Sequence, residues 1–508
     1  MNPPIEPLDS YNRTLLEEVG PSNWTHPKPA PCYDLVVIGA GTAGLVTAAG
    51  AAGLGARVAL VERHLMGGDC LNVGCVPSKA LLRSAHAAAE LGRAAGLGIP
   101  GPDRIADFSA VMERLRRLRA EIAPHDGVRR FEKLGVDVFL GPARFHDRSQ
   151  VEVNGTRLRF RRAVIATGAR ASLPEIPGLH EAKPLTNETV FNLTELPRRL
   201  VVLGGGPIGC ELAQAFQRLG SRVTLVHNKG YVLDREDPDA AAVVQKAMAR
   251  DGVQLVLNGK VTSVGRTGPE IRIRVQQADA PLEITGDALL VAAGRTPNVS
   301  DLNLEGVGVE HDARRGIVVN DFLQTTNSRI YACGDVCLPW KFTHAADASA
   351  RLVIRNALFA LGPLGRGRLS TLSMSWCTYT DPELAHTGMT LTEAASRGIE
   401  LDTYTQPFAL VDRAIVDSDT DGFVRIHTRH GTGDIVGGTI VGRGAGDLIS
   451  ELSVAIAGRV GLGRLAAVIH PYPTRADALR RIGDQYLKTR FTPRTAAFLK
   501  ALLRFRRI

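Results

Sequence analysis

Apolar positions along this chain fall into two repeated arrangements before they change character near residue 369. Asp34 to Gly39 reads DLVVIG, a buried-strand run; a glycine turn follows, then an Ala-rich stretch from Ala43 to Ala52 with helical character and a second strand, VALVE, at Val58 to Glu62. The same order of strand, glycine turn, helix and strand recurs from Arg199 to His227. Between the two lie a charged helical stretch, Ala106 to Leu134, and a strand running into RAVIATGAR. Strands and turns continue through ALLVAAGRTPN to IYACGDV at Ile330 to Val336. Beyond Leu369, WCTYTDPELAHTG, GFVRIHT and DIVGGTIVG read as antiparallel strands, with helices at Asp447 to Ala457 and near Asp477 to Tyr486. The pattern predicts an α/β chain with two Rossmann-like dinucleotide-binding domains and a C-terminal α+β domain. Residues 1–32, rich in Pro and polar groups, read as an extended arm.

Each glycine turn matches G-x-G-x-x-G in its proper context. In Gly39, Gly41 and Gly44 the first glycine allows a tight turn, the second lets backbone approach a pyrophosphate, and the third lets helix and strand pack closely. Glu62 stands where an acid would receive ribose hydroxyls. Gly204, Gly206 and Gly209 repeat the turn, but the position equivalent to Glu62 is His227, followed by Asn228 and Lys229. A 2′-phosphate would be repelled by an acid and attracted by Lys229 or Arg222, so the second site is expected to prefer NADPH, with NADH the alternative.

Composition bounds the rest. At 508 residues the chain exceeds one hydrophobic core, and 44% apolar with 22% charged residues is ordinary globular composition. Net charge is +9, yet no basic stripe with interleaved aromatics appears, so nucleic acid is not an expected partner. Seven cysteines fit a reducing cytoplasm better than a secreted disulfide framework. The acid-bearing N-terminus lacks a leader pattern, and no apolar run of about 20 residues is present. From Lys488 to Ile508, Phe498, Leu499, Leu502 and Leu503 recur at helical spacing among cations without an acid. That tail either packs on protein or makes weak contact with an anionic membrane surface.

GGDCLNVGCVPSKALL places Cys70 and Cys75 five apart, with Lys79 four further on and a helix start near Pro77. A cation and a helix N-terminus are what lower a thiol's pKa. With that segment the chain resembles the flavin-dependent pyridine nucleotide-disulfide oxidoreductases, which include dihydrolipoyl dehydrogenase, glutathione reductase and mercuric reductase. The motifs run in family order over residues 33 to 487: the first glycine loop, the cysteine segment, ATGAR (with Gly168), GGGPIGCE, AAGRTPN (with Gly294 and Arg295) and YACGDV.

The resemblance implies FAD in the first loop, Asp335 beside the flavin's ribityl chain, Cys75 as the sulfur facing flavin, and Cys70 as the one exchanging with the acceptor. It implies a Lys79–Glu211 pair near the flavin's reactive nitrogen, tuning its electronics, and a homodimer. It divides the chain into an FAD-binding domain from two segments (33–180 and 296–368), an NAD(P)-binding domain (181–295), an interface domain (369–487) and the tail (488–508).

One departure narrows the acceptor. Disulfide-reducing members carry a His before Pro-Thr and a Glu five residues after that His, given across the dimer to protonate a leaving thiolate. Here the segment reads His470-Pro471-Tyr472-Pro473-Thr474-Arg475-Ala476-Asp477. Tyr472 takes the His position and Asp477 that of the Glu, while His470 is either a displaced base or a structural residue. Mercuric reductases are similar in having Tyr here and in REDP at Arg235 to Pro238, yet they also carry a vicinal cysteine pair near the C-terminus that this chain lacks. Cys333 and Cys337 read as packing beside the flavin, and no resident metal site is expected.

The acceptor expected is a small electrophile, Hg(II) or similar. The alternatives are a small disulfide, or a redox-vestigial flavin-binding protein held at a membrane surface.

Overall fold

The computed structural model describes residues 4–100, 106–277 and 280–507. Residues 1–3 of the expected arm and Ile508 of the tail lie outside that range. The described chain divides into two compact units: residues 1–228 with 252–372, and residues 229–251 with 373–508.

In the first unit, parallel strands Val136–Leu140, Val58–Glu62, Tyr33–Ile38 and Thr156–Ile165 lie side by side, with Ile330–Ala332 also pairing parallel to Thr156–Ile165. Antiparallel Gln150–Val153 and Ala143–Asp147 complete the sheet. The central strand Tyr33–Ile38 is buried on both faces, which is why it reads as a continuous apolar run rather than an alternating one. A second parallel sheet, in the order Gln254–Val256, Arg222–Val226, Arg199–Leu203 and Ala288–Val291, carries the second glycine loop. The expected α/β class with two Rossmann-like halves is the class observed.

The stretch expected to be an extended arm is not extended throughout. Ser10–Val19 forms a helix because Asp9 caps it, accepting from Asn12 N, and because Leu15 and Val19 are fully buried. Pro-rich composition describes only the flanks of that helix.

The second unit is a five-stranded antiparallel sheet, Ser375–Thr378, Glu383–Gly388, Ile435–Gly442, Phe423–Arg429 and Leu401–Pro407. Helices Ala445–Ala457 and Asp477–Thr489 contribute Ile449, Leu452, Leu479 and Ile482 to its core. Residues 229–251, which the sequence reading placed within 181–295, pack against this sheet. Their helix Pro238–Arg250 packs on strands Glu383–Gly388 and Ile435–Gly442. Arg425 pairs with Asp237 at 3.3 Å and also with Asp239, and Trp376 Nε1 donates to Glu236 at 2.7 Å.

Burial pushes the Glu236 carboxyl up from 4.5 to about 7, against the Trp376 hydrogen bond that lowers it. A carboxyl whose folded pKa is raised weakens the fold as pH climbs from its unfolded value through its folded one. Glu236→Gln keeps an acceptor for Trp376 and removes the charge. It is expected to raise stability at pH 8, by up to ~3 kcal/mol, and to change it little below pH 4.5. Thermal unfolding of both proteins across that range checks this; an equal difference at both ends contradicts it.

Candidate active site

The redox segment begins against the first glycine loop. Gly67 N donates to Ala40 O at 2.9 Å, and a Cβ on Gly68 would stand 2.6 Å from Gly41 Cα. The loop itself is as tight. Gly39 has φ of +102°, and a Cβ on Gly44 would lie 1.8 Å from Gly39 O. At Gly41, by contrast, the nearest atom to an added Cβ is 3.8 Å away, which leaves the backbone open to a pyrophosphate. Glu62 is almost fully buried and accepts from Ala40 N at 2.7 Å and His64 N at 2.8 Å. Burial pushes its carboxyl up, while those two backbone donors hold it down. This cradle fits the adenosine diphosphate half of FAD.

The second loop repeats the geometry with different chemistry. Gly205 N donates to His227 Nδ1 at 3.1 Å, the counterpart of the bond from Ala40 N to Glu62. The ring nitrogen therefore does the carboxylate's structural work without its negative charge. Around Gly206 nothing lies within 4 Å of an added Cβ. Lys229 is exposed just past the strand end. Arg222 corrects the sequence reading: it opens strand Arg222–Val226, so it sits about 13 Å from the carboxyl end, where nucleotides bind.

Cys70 lies in the short helix Gly68–Asn72, and Cys75 is the first residue of helix Cys75–Arg93. Cys75 is pushed down from 9.0 to about 6, first by the hydrogen bond from Cys70, then by Thr343, whose Oγ1 is 3.2 Å from its sulfur, and by Lys79. Cys70, donating that bond and partly buried, is pushed up. One thiolate and one thiol are the arrangement that thiol–disulfide chemistry needs. Lys79 Nζ meets Glu211 Oε2 at 2.9 Å, Glu211 coming from helix Pro207–Arg218. An open hollow of about 410 Å³ beside Cys75 is lined by Lys79, Arg83, Arg114, Leu118 and Ile122.

Arg295 gathers the remaining motifs. It pairs with Asp69, next to Cys70, donates to Ala169 O at 2.6 Å, and lies 3.6 Å from Asp335. Strand Arg295–Pro297 pairs with Ala169–Ala171, Asn298 N donates to Gly168 O at 3.0 Å, and Ser172 N donates to Gly294 O at 3.0 Å. Asp335 occupies a short turn after Ile330–Ala332, its carboxyl pushed up by burial and held down by Arg295 and Lys341. Asp69 and Thr343 were not picked out from the sequence, because neither belongs to a spacing pattern. Cys333 is fully buried with Thr47 Oγ1 3.8 Å away, its thiol pushed up to about 12 by burial. Among the described residues no cluster of three or more His, Cys, Asp or Glu could hold a metal.

The N-terminal helix also reaches the redox segment. Fully buried Arg119 donates to Asn72 O and to Asn12 Oδ1, both at 2.6 Å, and Met66 N donates to Val19 O at 2.9 Å. Asn72 lies between the two cysteines.

In the second unit His470 and Asp477 do not meet. His470 Nε2 is 2.8 Å from Glu451 Oε1 and Nδ1 is 3.2 Å from Val468 O, so both ring nitrogens face acceptors. Asp477 is taken by Arg480 at 2.9 Å and Arg481 at 2.5 Å. Arg481 also pairs with Asp412 at 3.3 Å, and Asp412 accepts from Tyr472 OH at 2.9 Å. The Tyr472 ring is 73% exposed, and Asp412 raises its phenol pKa.

Residues 33–350 match the pyridine nucleotide-disulphide oxidoreductase family, and residues 374–482 match that family's dimerisation domain. The chain belongs to this family. It is 35% identical over 448 residues to a mercuric reductase of Lysinibacillus sphaericus, covering 88% of this chain and 81% of that protein. It is 33% identical over 450 residues to a dihydrolipoyl dehydrogenase of Staphylococcus aureus, covering 87% and 94%. Its structure resembles the Cu(II) complex of the HOCl-induced flavoprotein disulfide reductase RclA from Escherichia coli, at TM-score 0.78 and 27% identity, covering 90% and 100%. As a member of this family the chain is a flavin-dependent oxidoreductase that uses FAD and NAD(P)H. The matched dimerisation domain supports a homodimer. No helix among the described residues is long and apolar enough to cross a membrane.

Two outcomes follow. Cys70→Ala removes the donor that most depresses Cys75, so the midpoint of Cys75 alkylation against pH should rise from about 6 toward 9.0; an unmoved midpoint contradicts that cause. Asn12→Ala leaves a buried guanidinium short of an acceptor and should cost about 1–3 kcal/mol in denaturant unfolding with flavin still bound. Unchanged stability would remove the N-terminal helix from the support of the redox segment.

Proposed function

We propose that this oxidoreductase draws electrons from NADPH and delivers them through Cys70 and Cys75 to a soft metal ion, Hg(II) foremost. One observation carries the reading. The dithiol is poised, but the position that protonates a leaving thiolate in disulfide-reducing relatives is filled by a phenol that stays protonated beside Asp412. His470 leaves no ring nitrogen without an acceptor. Reducing a disulfide expels a thiolate that must gain a proton. Reducing Hg(II) to Hg(0) takes the same two electrons, converts NADPH to NADP⁺ and a proton, and asks for no proton donor at the acceptor.

In this scheme the first glycine loop, Glu62 and Asp335 hold FAD, which when bound supplies the two-electron link between nicotinamide and the cysteine pair. Lys79, paired with Glu211, keeps a positive charge beside the Cys75 thiolate. Cys70 donates to that thiolate and is the sulfur that exchanges with the acceptor. Soft thiolates bind soft cations. Lys79, Arg83 and Arg114 around the hollow disfavour a bare divalent cation, so the metal arrives as a neutral or anionic thiol complex. His227 in place of an acid, with Lys229 after it, favours the 2′-phosphate of NADPH. The mercuric reductase relatives support the acceptor, and the Cu(II) complex of the structural neighbour makes copper a second metal to try.

A second reading, reduction of a small disulfide, is favoured by the intact dithiol and by the dihydrolipoyl dehydrogenase relatives. Coenzyme oxidation is measured with NADPH and NADH against Hg(II), Cu(II), lipoamide and glutathione disulfide in parallel. The expected result is a kcat/KM for Hg(II) with NADPH at least ~10-fold above either disulfide, a difference of about 1.4 kcal/mol in the transition state. Cys70→Ser and Cys75→Ser should each abolish it with flavin retained. Faster turnover of lipoamide or glutathione disulfide would establish the second reading instead.

A further inference from the structure

Helix Pro493–Phe505 is capped by Thr492, whose side chain accepts from Thr495 N, and none of its residues is buried. Phe498, Leu502 and Phe505 recur at four and three residues along it, with Leu499 and Leu503 beside them. Residues so spaced share one face. Their exposures run from 38% at Leu502 to 78% at Phe505, and Phe491 just before the helix is 57% exposed. A set of large apolar side chains left this open is not a core-facing stripe. It is a surface that water covers unfavourably.

Charge decides what covers it. Lys488, Arg490, Arg494, Lys500, Arg504, Arg506 and Arg507 lie on this stretch, and no Asp or Glu occurs from 488 to 508. Among the described residues, no ion pair engages Arg494, Lys500, Arg504, Arg506 or Arg507. A second copy of the chain carries the same net charge of +9, which opposes covering this cationic helix with it. A surface that is apolar beneath and negative above satisfies both faces at once. At 13 residues the helix is about 20 Å long, too short to span a bilayer and suited to lying along its surface.

We propose that Pro493–Phe505 is an anionic-lipid docking helix. Phe498, Leu499, Leu502, Leu503 and Phe505 enter the acyl boundary while Lys500, Arg504 and Arg507 sit at the headgroups. The docking surface lies in the second unit, and none of these residues is placed in the redox or nucleotide machinery. The enzyme would thereby act at a membrane surface without being anchored in it, since one such helix binds reversibly.

The test is co-sedimentation of the full-length flavoprotein with vesicles of phosphatidylcholine alone and of phosphatidylcholine doped with phosphatidylglycerol, at low and at physiological salt. Binding is expected only to the phosphatidylglycerol vesicles, weakening as salt rises. Phe498→Ser combined with Leu502→Ser should cut it at least ~10-fold, as should Arg504→Gln combined with Arg507→Gln. Coenzyme oxidation in solution and the sedimentation-derived oligomeric state should be unchanged in both variants. Equal binding to both vesicle types, or none to either, overturns the proposal. So does a change of oligomeric state in the Phe498/Leu502 variant, because the face would then be an interface between protein chains. Inhibition of vesicle binding by inorganic phosphate at constant ionic strength would show a phosphate site in place of a lipid surface and also overturn it.

Discussion

The backbone contact between the first glycine loop and the start of the redox segment organises everything else in the first unit. Gly67 N reaches Ala40 O, and a Cβ on Gly68 would stand 2.6 Å from Gly41 Cα, so Gly68 tolerates no side chain toward the loop. The glycine loop and the segment that carries Cys70 and Cys75 are therefore packed backbone against backbone. The start of that segment is thereby held against the loop. Effective concentration of the reacting groups is set by the backbone before any chemistry begins.

Around that contact, cations hold the segment from several sides. Arg295 takes the carboxylate of Asp69 and lies near Asp335, while Arg119 takes the carbonyl of Asn72. Lys79 stands beside the Cys75 thiolate with Glu211 as its partner. These are buried or half-buried charges, costly to desolvate, and each has a partner in the redox segment or packed beside it. Of these cations it is Lys79 whose charge favours the Cys75 thiolate, while Arg295 and Arg119 hold the backbone and carboxylate beside it in place. The second unit treats its own expected acid–base residues differently. Asp477 and Asp412 are tied into an arginine network that fixes the Tyr472 phenol, and His470 is locked between Glu451 and Val468 O. In the first unit Cys70, Thr343 and Lys79 hold the Cys75 thiol below its ordinary value. In the other, Tyr472 and His470 are held by bonds rather than left poised to transfer protons.

The sequence by itself determined the architecture and the chemistry that depends on local spacing. Buried parallel strands demand unbroken apolar runs, tight phosphate turns demand glycine at fixed positions, and a cysteine pair five residues apart around a helix start is legible as a string. Those demands are satisfied within short stretches, so they survive in one dimension. Tertiary structure decided what depends on residues far apart in the chain. Only packing could show Arg119 joining Asn12 to Asn72, or Arg295 finding Asp69 across 226 positions. The same is true of His470 taking Glu451 and not Asp477, and of residues 229–251 packing on the C-terminal sheet. The helix Ser10–Val19 was hidden for a related reason: two buried side chains and one cap outweigh the prolines around them. Hydrogen bonds and ion pairs between distant segments leave no period in a sequence, because their partners are chosen by the folded surface each one meets.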